Sequence, residues 1–387
     1  MHVLAIGLDE KVLDKNSAVA RRAVWYGGVL DSYTVVTPAA LKRTVALAGN
    51  VTAIAARRGN KIISLLRLYR QASAVLRGRP VDVITVQDTC YLALIAWRLV
   101  KKYRKGFEIQ VHGFEKFSGW RRFLARYVLR RANAVRVVSQ RLKRQVMEDF
   151  GVAEDKITVV PIYTNTAAFT GLLRSPADCG VARNDNAFIF LTIGRLVPVK
   201  NIAMQIDAVR KLESLSLRRQ GSKVEKNIEL WIVGDGPERK KLEVRSSLSL
   251  KLRTINKKLE IEEKVKFFGW QKDTDSFYAQ ADAFVLSSNS EGWGMAVVEA
   301  AAYGLPIIMT DVGLAGEVIK DGESGLIIPV GDQQALEQAM ARLVGDEGLS
   351  KKLGEGARAA SEQLPNFQQT LNLYKQSWRK AAAVLNA

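Results

Sequence analysis

Short β-rich runs alternate with longer helical ones along this chain, and the alternation starts over once. In the first half, residues 3–8, 33–37, 81–86, 108–111 and 134–138 predict strands, and 65–76 and 91–103 predict helices between them. Strands regularly separated by helices can pair side by side only through crossovers, so the pattern implies a parallel sheet covered by helices. The run KITVVP at 156–161 reads as the last strand of this unit, and 174–186, rich in Ser, Pro, Asp, Gly and Asn, reads as a linker. The pattern restarts with AFIFLTIGRL, then ELWIVGDG, VKFFGW, AFVLSS, LPIIMT and GLIIP. After Gln333 helices dominate, through QQALEQAMARLV and FQQTLNLYKQSWRKAAAVL. The polar stretch 211–264 predicts surface helices and loops around its central strand. At 387 residues the chain suits two α/β domains of ordinary size. The expected division is a first domain at 1–173, a second at 174–360 and a closing helix at 361–387 that packs back on the first.

Several classes are disfavoured at once. Cys90 and Cys179 stand far apart in unrelated contexts, which predicts two free thiols rather than a disulfide framework. His2 and His112 are the only histidines, too few to build a His-rich metal site, and no metal or cofactor is expected. The start MHVLAIGLDE reads as a first strand, not as an export signal. The apolar stretch 91–100 has 10 residues, against about 20 needed to cross a bilayer.

Charge becomes informative when divided. Residues 1–174 hold 30 Lys or Arg and 12 Asp or Glu, a net +18, and the remainder holds 28 and 27, a net +1. An excess confined to one domain says that this domain meets something anionic: a membrane surface, a phosphate-bearing acceptor or nucleic acid. No nucleic-acid-binding module accompanies the charge, which argues against the last.

The segment richest in chemistry runs from Ala281 to Gly325. The strand AFVLSS ends in a polar turn, Gly292 and Gly294 flank Trp293, and a helix is expected near Met295. A strand, a glycine turn and a helix start make an anion site, because the backbone approaches the ligand closely and the helix's first N–H groups point at it. Glu291 and Glu299, 8 residues apart, can face the same crevice at the sheet's C-terminal edge.

Here the sequence resembles a known family. The Glu, seven residues, Glu pattern in EGWGMAVVE is similar to the signature of the retaining GT-B-fold glycosyltransferases of family 4. GRLVPVK at 194–200 resembles that family's phosphate clamp, VGDGPERKKL its glycine turn, and VKFFGW, ADAFVLSSNSEGWG and GEVIKDGESGLIIPVGD follow in the family's order. The resemblance implies two Rossmann-like domains facing across a cleft. It also implies that Arg195 and Lys200 neutralise the donor diphosphate, that Glu299 holds the ribose hydroxyls and that Glu291 contacts the transferred sugar. Gly194, Gly234, Gly292, Trp293, Gly294, Met295 and Ala296 would complete the donor site. His112, ending the strand in FEIQVHGFE, stands where the family has a catalytic-site histidine.

The N-terminal half departs from the pattern. The loop GLDEKVLDKNSAVA lacks the family's paired glycines, with Ser17 and Ala18 near that place, and Tyr163 stands where the hinge strand usually has glycine. Ser139 reads as a helix N-cap. Asp88, at the end of VDVITV, is a further candidate for acceptor contact. GWRRFLARYVLRRA spaces Trp120, Phe123, Leu124, Tyr127 and Val128 by three and four among Arg121, Arg122, Arg126 and Arg130. Such an amphipathic helix packs its stripe on its own sheet or attaches to anionic lipid.

The sequence is thus expected to encode a retaining, metal-independent hexosyltransferase. A UDP- or GDP-sugar would be the donor, and an anionic or lipid-linked acceptor in polysaccharide or glycolipid synthesis would receive the sugar at the cytoplasmic face of the plasma membrane. A GT-B epimerase or phosphorylase, or a non-catalytic nucleotide-sugar-binding protein, would share much of the same shell.

Overall fold

The computed structural model describes residues 1–113, 119–164, 187–216, 227–253 and 264–383. The linker at 174–186, the boundary at 173 and Cys179 lie outside them, as does part of the polar stretch 211–264. The chain divides into two compact units, Met1–Tyr163 with Pro365–Ala387, and Thr164–Leu364.

The first unit carries a sheet in the order β3-β4-β2-β1-β5-β6-β7-β8. Its strands are β1 (His2–Ile6), β2 (Ser32–Ala39), β3 (Thr44–Ala48), β4 (Val51–Arg57), β5 (Val83–Val86), β6 (Gly106–Val111), β7 (Ala134–Val137) and β8 (Ile157–Val159). All pairs are parallel except β3–β4, an antiparallel hairpin that turns on Gly49 and Asn50. The expected alternation of strands and helices does not include this hairpin, although a two-residue Gly-Asn turn between apolar runs is its signal. Right-handed crossovers put α2 (Lys61–Gly78), α3 (Tyr91–Tyr103), α4 (Gly119–Leu129) and α5 (Gln140–Phe150) on one face and α1 (Ala18–Gly27) on the other. Ser139 caps α5 through Leu142 N, as expected, and Ser17 caps α1 through Ala20 N.

The last helix, α12 (Phe367–Ala383), packs on β6, β7 and β8 and touches α1. Trp378 is fully buried there. A polar cluster underlies it. Glu108 in β6 is wholly buried and accepts hydrogen bonds from Ser377 and from Thr85, and Arg136 lies 3.7 Å from it. The Arg136 guanidinium also lies 4.1 Å from the centre of the Tyr374 ring. A buried charge is tolerated only when paired and hydrogen-bonded, and α12 supplies part of that company.

The second unit carries β9 (Ala187–Ile193), β10 (Asn227–Val233), β11 (Val265–Gly269), β12 (Ala283–Leu286), β13 (Ile307–Thr310) and β14 (Gly325–Ile328) in the order β11-β10-β9-β12-β13-β14, all parallel. Counted from β9 this is the 3-2-1-4-5-6 order of a doubly wound dinucleotide-binding fold. Its core joins Phe190, Ile206, Leu230, Val285 and Ile308 with Leu336 and Met340 of α10 (Gln333–Gly345). In such a fold the ligand crevice opens where the strand order reverses, between β9 and β12.

Candidate active site

The loops leaving β9 and β12 meet at that switch point. After β9, Gly194 and Arg195 lead into a single 3-10 turn at Pro198–Lys200. The β12 end grips this turn. Asn289 N donates to Val199 O at 2.7 Å, and Ser287 Oγ lies 3.0 Å from the carbonyls of Lys200 and Asn201. Gln205 in α6 (Ile202–Ser216) donates to Ser287 Oγ at 2.8 Å, which fixes the hydroxyl from behind.

Lys200 is therefore aimed at the polar turn after β12, where its ammonium forms an ion pair and hydrogen bond with Glu291 Oε1. Ser288 Oγ donates to the same oxygen at 2.8 Å. Arg195 is exposed, and among the described residues no carboxylate pairs with it. Gly194 is tied to its neighbour strand, with Gly194 N donating to Val233 O at 3.0 Å. Gly234 lies so close that a Cβ on it would sit 1.9 Å from Gly194 O, and its φ of +133° is one that L side chains rarely adopt. The glycine in VGDGP thus lets two loop backbones run side by side at the sheet edge.

Gly294, with φ +105°, caps α9 (Met295–Ala302) and supplies no side chain to do it. Val297 N donates to Gly294 O, so the N–H groups of Met295 and Ala296 precede the first intrahelical bond and are available to an anion. Gly292 is partly exposed. The Trp293 ring, by contrast, is buried and contributes packing, while its carbonyl accepts from Leu314 N at 3.1 Å.

Glu299 sits just over one turn into α9. Its Oε2 accepts a 2.8 Å hydrogen bond from the hydroxyl of Tyr278 in α8 (Asp275–Gln280). Its carboxyl pKa is raised because burial disfavours the charge; the Tyr278 bond works against that shift and Asp275 adds to it. Glu291 and Glu299 thus take different partners, an ammonium for one and a phenol for the other. No local pattern singles out Tyr278, Ser288 or Gln205. Trp270 was also missed; it is exposed and follows Gly269, whose carbonyl accepts from Gly234 N at 2.7 Å, so it stands on the same sheet edge as Gly194 and Gly234.

In the first unit His112 follows β6 at an exposed position. Its pKa is pushed down to about 4 by loss of hydration and by the positive charges of Arg136 and Arg22. Asp88 Oδ1 accepts from Cys90 N at 2.8 Å and Leu92 N at 3.0 Å, which holds the start of α3. Cys90 is buried and not in a disulfide. Among the described residues, no three His, Cys, Asp or Glu side chains cluster as a metal site, and no helix is long and apolar enough to cross a membrane.

Comparison with known proteins fits this geometry. The chain is 30% identical over 200 residues to the lipopolysaccharide core biosynthesis glycosyltransferase LpsE of Rhizobium meliloti, covering 52% of this chain and 51% of the relative. It spans about half the length of the first curated relatives it matches. In fold it is similar to a sucrose-phosphate synthase from Thermosynechococcus elongatus (TM-score 0.77, 18% identity, 99% and 100% of the two chains). It is likewise similar to HepE of Anabaena in complex with UDP and glucose (TM-score 0.71, 18% identity, 97% and 98%). Residues 32–167 match the model of Glycosyltransferase Family 4 and residues 180–360 that of Glycosyl transferases group 1. The chain belongs to the group 1 glycosyltransferases of GT-B fold.

Proposed function

We propose that this protein is a retaining hexosyltransferase that moves a sugar from a nucleoside diphosphate to a hydroxyl of a lipid-linked or glycan acceptor in polysaccharide or glycolipid synthesis. The observation that carries the reading is the meeting, at one switch point, of Lys200, Glu291, the exposed Arg195 and the start of α9, which no side chain caps among the described residues. Breaking an anomeric C–O bond leaves negative charge on the departing diphosphate. A fixed guanidinium, an ammonium and helix N–H groups stabilise that charge without a metal ion. The acceptor hydroxyl attacks C1 from the side of the leaving group, the new glycosidic bond forms as the old C–O bond breaks, and the hydroxyl proton passes to a diphosphate oxygen. Glu299 accepts from the ribose hydroxyls, and Glu291 hydrogen-bonds the transferred sugar; neutral His112 is the first unit's candidate catalytic residue.

HepE's complex with UDP and glucose supports a UDP-sugar donor, with GDP-sugars as the next class to try. The role of LpsE in lipopolysaccharide core synthesis supports a lipid-linked acceptor. With the +18 of residues 1–174, this favours work at the cytoplasmic face of the plasma membrane. Calorimetric titration with UDP-, GDP- and ADP-sugars, followed by NMR of the product's anomeric configuration, tests the reading. Binding of none of them, or an inverted product, would overturn it. Release of sugar 1-phosphate from a glycan by inorganic phosphate, or epimerisation of the nucleotide sugar without acceptor, would assign the shell to a phosphorylase or an epimerase instead.

A further inference from the structure

Helices α2, α3 and α4 form one continuous layer on the first unit's sheet, α2 packed on α3 and α3 on α4. Together they carry ten Lys or Arg side chains and not one Asp or Glu. A merely solvated helix mixes the signs, as α11 (Glu347–Glu362) does with three cations and three carboxylates. Charge of one sign over three neighbouring helices raises self-repulsion, which an anionic partner relieves.

The same layer exposes large apolar side chains at one end only. On α2 these are Ile62, Ile63 and Leu66, with Ile62 70% exposed, and on α4 they are Trp120 and Phe123, 65% and 60% exposed and stacked at 5.3 Å. Both groups lie in the first turns of their helices, which places them at the edge where the parallel strands end. The starts of the helices are linked there: Lys61 Nζ lies 4.1 Å from the centre of the Tyr91 ring at the head of α3, and Cys90 Sγ lies 3.9 Å from Arg121 O in α4. None of the five serves the core. α2 buries Leu68, Ala72, Val75 and Leu76, and α4 buries Leu124, Ala125, Val128 and Leu129.

We propose that this rim is a docking surface for an anionic phospholipid bilayer. Ile62, Ile63, Leu66, Trp120 and Phe123 enter the boundary between headgroups and acyl chains, and the exposed cations beside them on α2 and α4, Lys61, Arg70, Arg121 and Arg126, lie against the lipid phosphates. The proposal rests on the membrane-facing acceptor reading above and gives it a place on the molecule. The aliphatic members distinguish a bilayer from nucleic acid: cations and aromatic rings suit a nucleic acid strand, but Ile62, Ile63 and Leu66 offer bases nothing to stack on, whereas hydrocarbon accepts them.

The test is flotation of the full chain with vesicles of phosphatidylglycerol and phosphatidylcholine, against phosphatidylcholine alone. Wild type is expected to float with the anionic vesicles and to be released by high salt. Ile62→Ser/Leu66→Ser/Trp120→Ala/Phe123→Ala abolishes flotation, and each of Arg70→Gln, Arg121→Gln and Arg126→Gln lowers partition about five-fold. All seven positions are exposed, so unchanged UDP titration and unchanged thermal unfolding will show that the variants are folded. Equal partition into both vesicle types, or full flotation of the apolar variant, overturns the proposal, as does an RNA that binds the rim and is not displaced by vesicles. Flotation without any nucleotide-sugar binding would leave the surface standing and remove the transferase reading. Turnover on a detergent-dispersed acceptor without flotation would do the reverse.

Discussion

The phenol of Tyr278 donates a 2.8 Å hydrogen bond to Oε2 of Glu299 across two short helices. Burial raises the phenol's pKa well above its ordinary value, so it remains a donor throughout the working pH range. The bond holds one carboxylate oxygen and leaves Oε1 for a ligand hydroxyl. Tyr278→Phe keeps the ring that stacks on Tyr303 and removes only the bond. A hydrogen bond to a charged group is worth about 1.5–3 kcal/mol, so KM for the donor should rise roughly ten- to a hundred-fold with a smaller change in kcat.

The same bond sets a pH dependence. Glu299 is raised above the ordinary carboxyl value, so it accepts ligand hydroxyls as a carboxylate above that raised pKa, and donor affinity is lost as pH falls through it. Tyr278→Phe removes the contribution that lowers the pKa and should start the loss at higher pH; Glu299→Gln should flatten it. An identical profile in wild type and Tyr278→Phe, measured by calorimetry across acidic pH, would show that Tyr278 does not act through Glu299.

Lys200 is ion-paired with the carboxylate of Glu291. Glu291→Gln should therefore tighten binding of UDP alone, because the ammonium no longer has a competing anion, while lowering turnover of the sugar nucleotide. Lys200→Ala should cost about 10²–10³ in kcat, the usual loss for one preorganised charge-stabilising donor. Titration with UDP and steady-state kinetics separate the two effects, and weaker UDP binding in Glu291→Gln would contradict this account.

His112, with its pKa pushed down to about 4, is neutral at physiological pH. His112→Ala should lower kcat by the same factor across about pH 5–8, the range in which an unperturbed histidine titrates. A limb near the ordinary histidine value that disappears in the variant would refute the neutral role.

Glu108 is fully buried beside Arg136 and bonded to Ser377, a residue 269 positions later. Glu108→Ala leaves a guanidinium buried without its partner and should lower the unfolding free energy by about 3–5 kcal/mol. Denaturant titration checks this, and the double variant with Arg136→Met should lose less than Glu108→Ala alone.

Most of the fold was legible because parallel strands covered on both faces are continuous apolar runs, as in AFIFLTI and AFVL, and because Ser139 and the glycines sit where caps and tight turns need them. The hairpin of β3 and β4 escaped because two strands joined by Gly49 and Asn50 break the rhythm of strand and helix. The spacing of Trp120, Phe123, Leu124 and Val128 marked one apolar stripe, yet only the last two reach the core, since periodicity gives a helix's face and not which of its turns the sheet lies under.

The sequence by itself determined the architecture and the family and nominated the donor-side candidates, because those depend on local spacing: glycines at turns, carboxylates about a helix start, cations after a strand. Only the tertiary structure decided that Lys200 pairs with Glu291, that Tyr278 holds Glu299 and that Glu108 receives Ser377. Each of these joins elements distant along the chain, and their pairing follows from crossover geometry and packing, which no local pattern encodes.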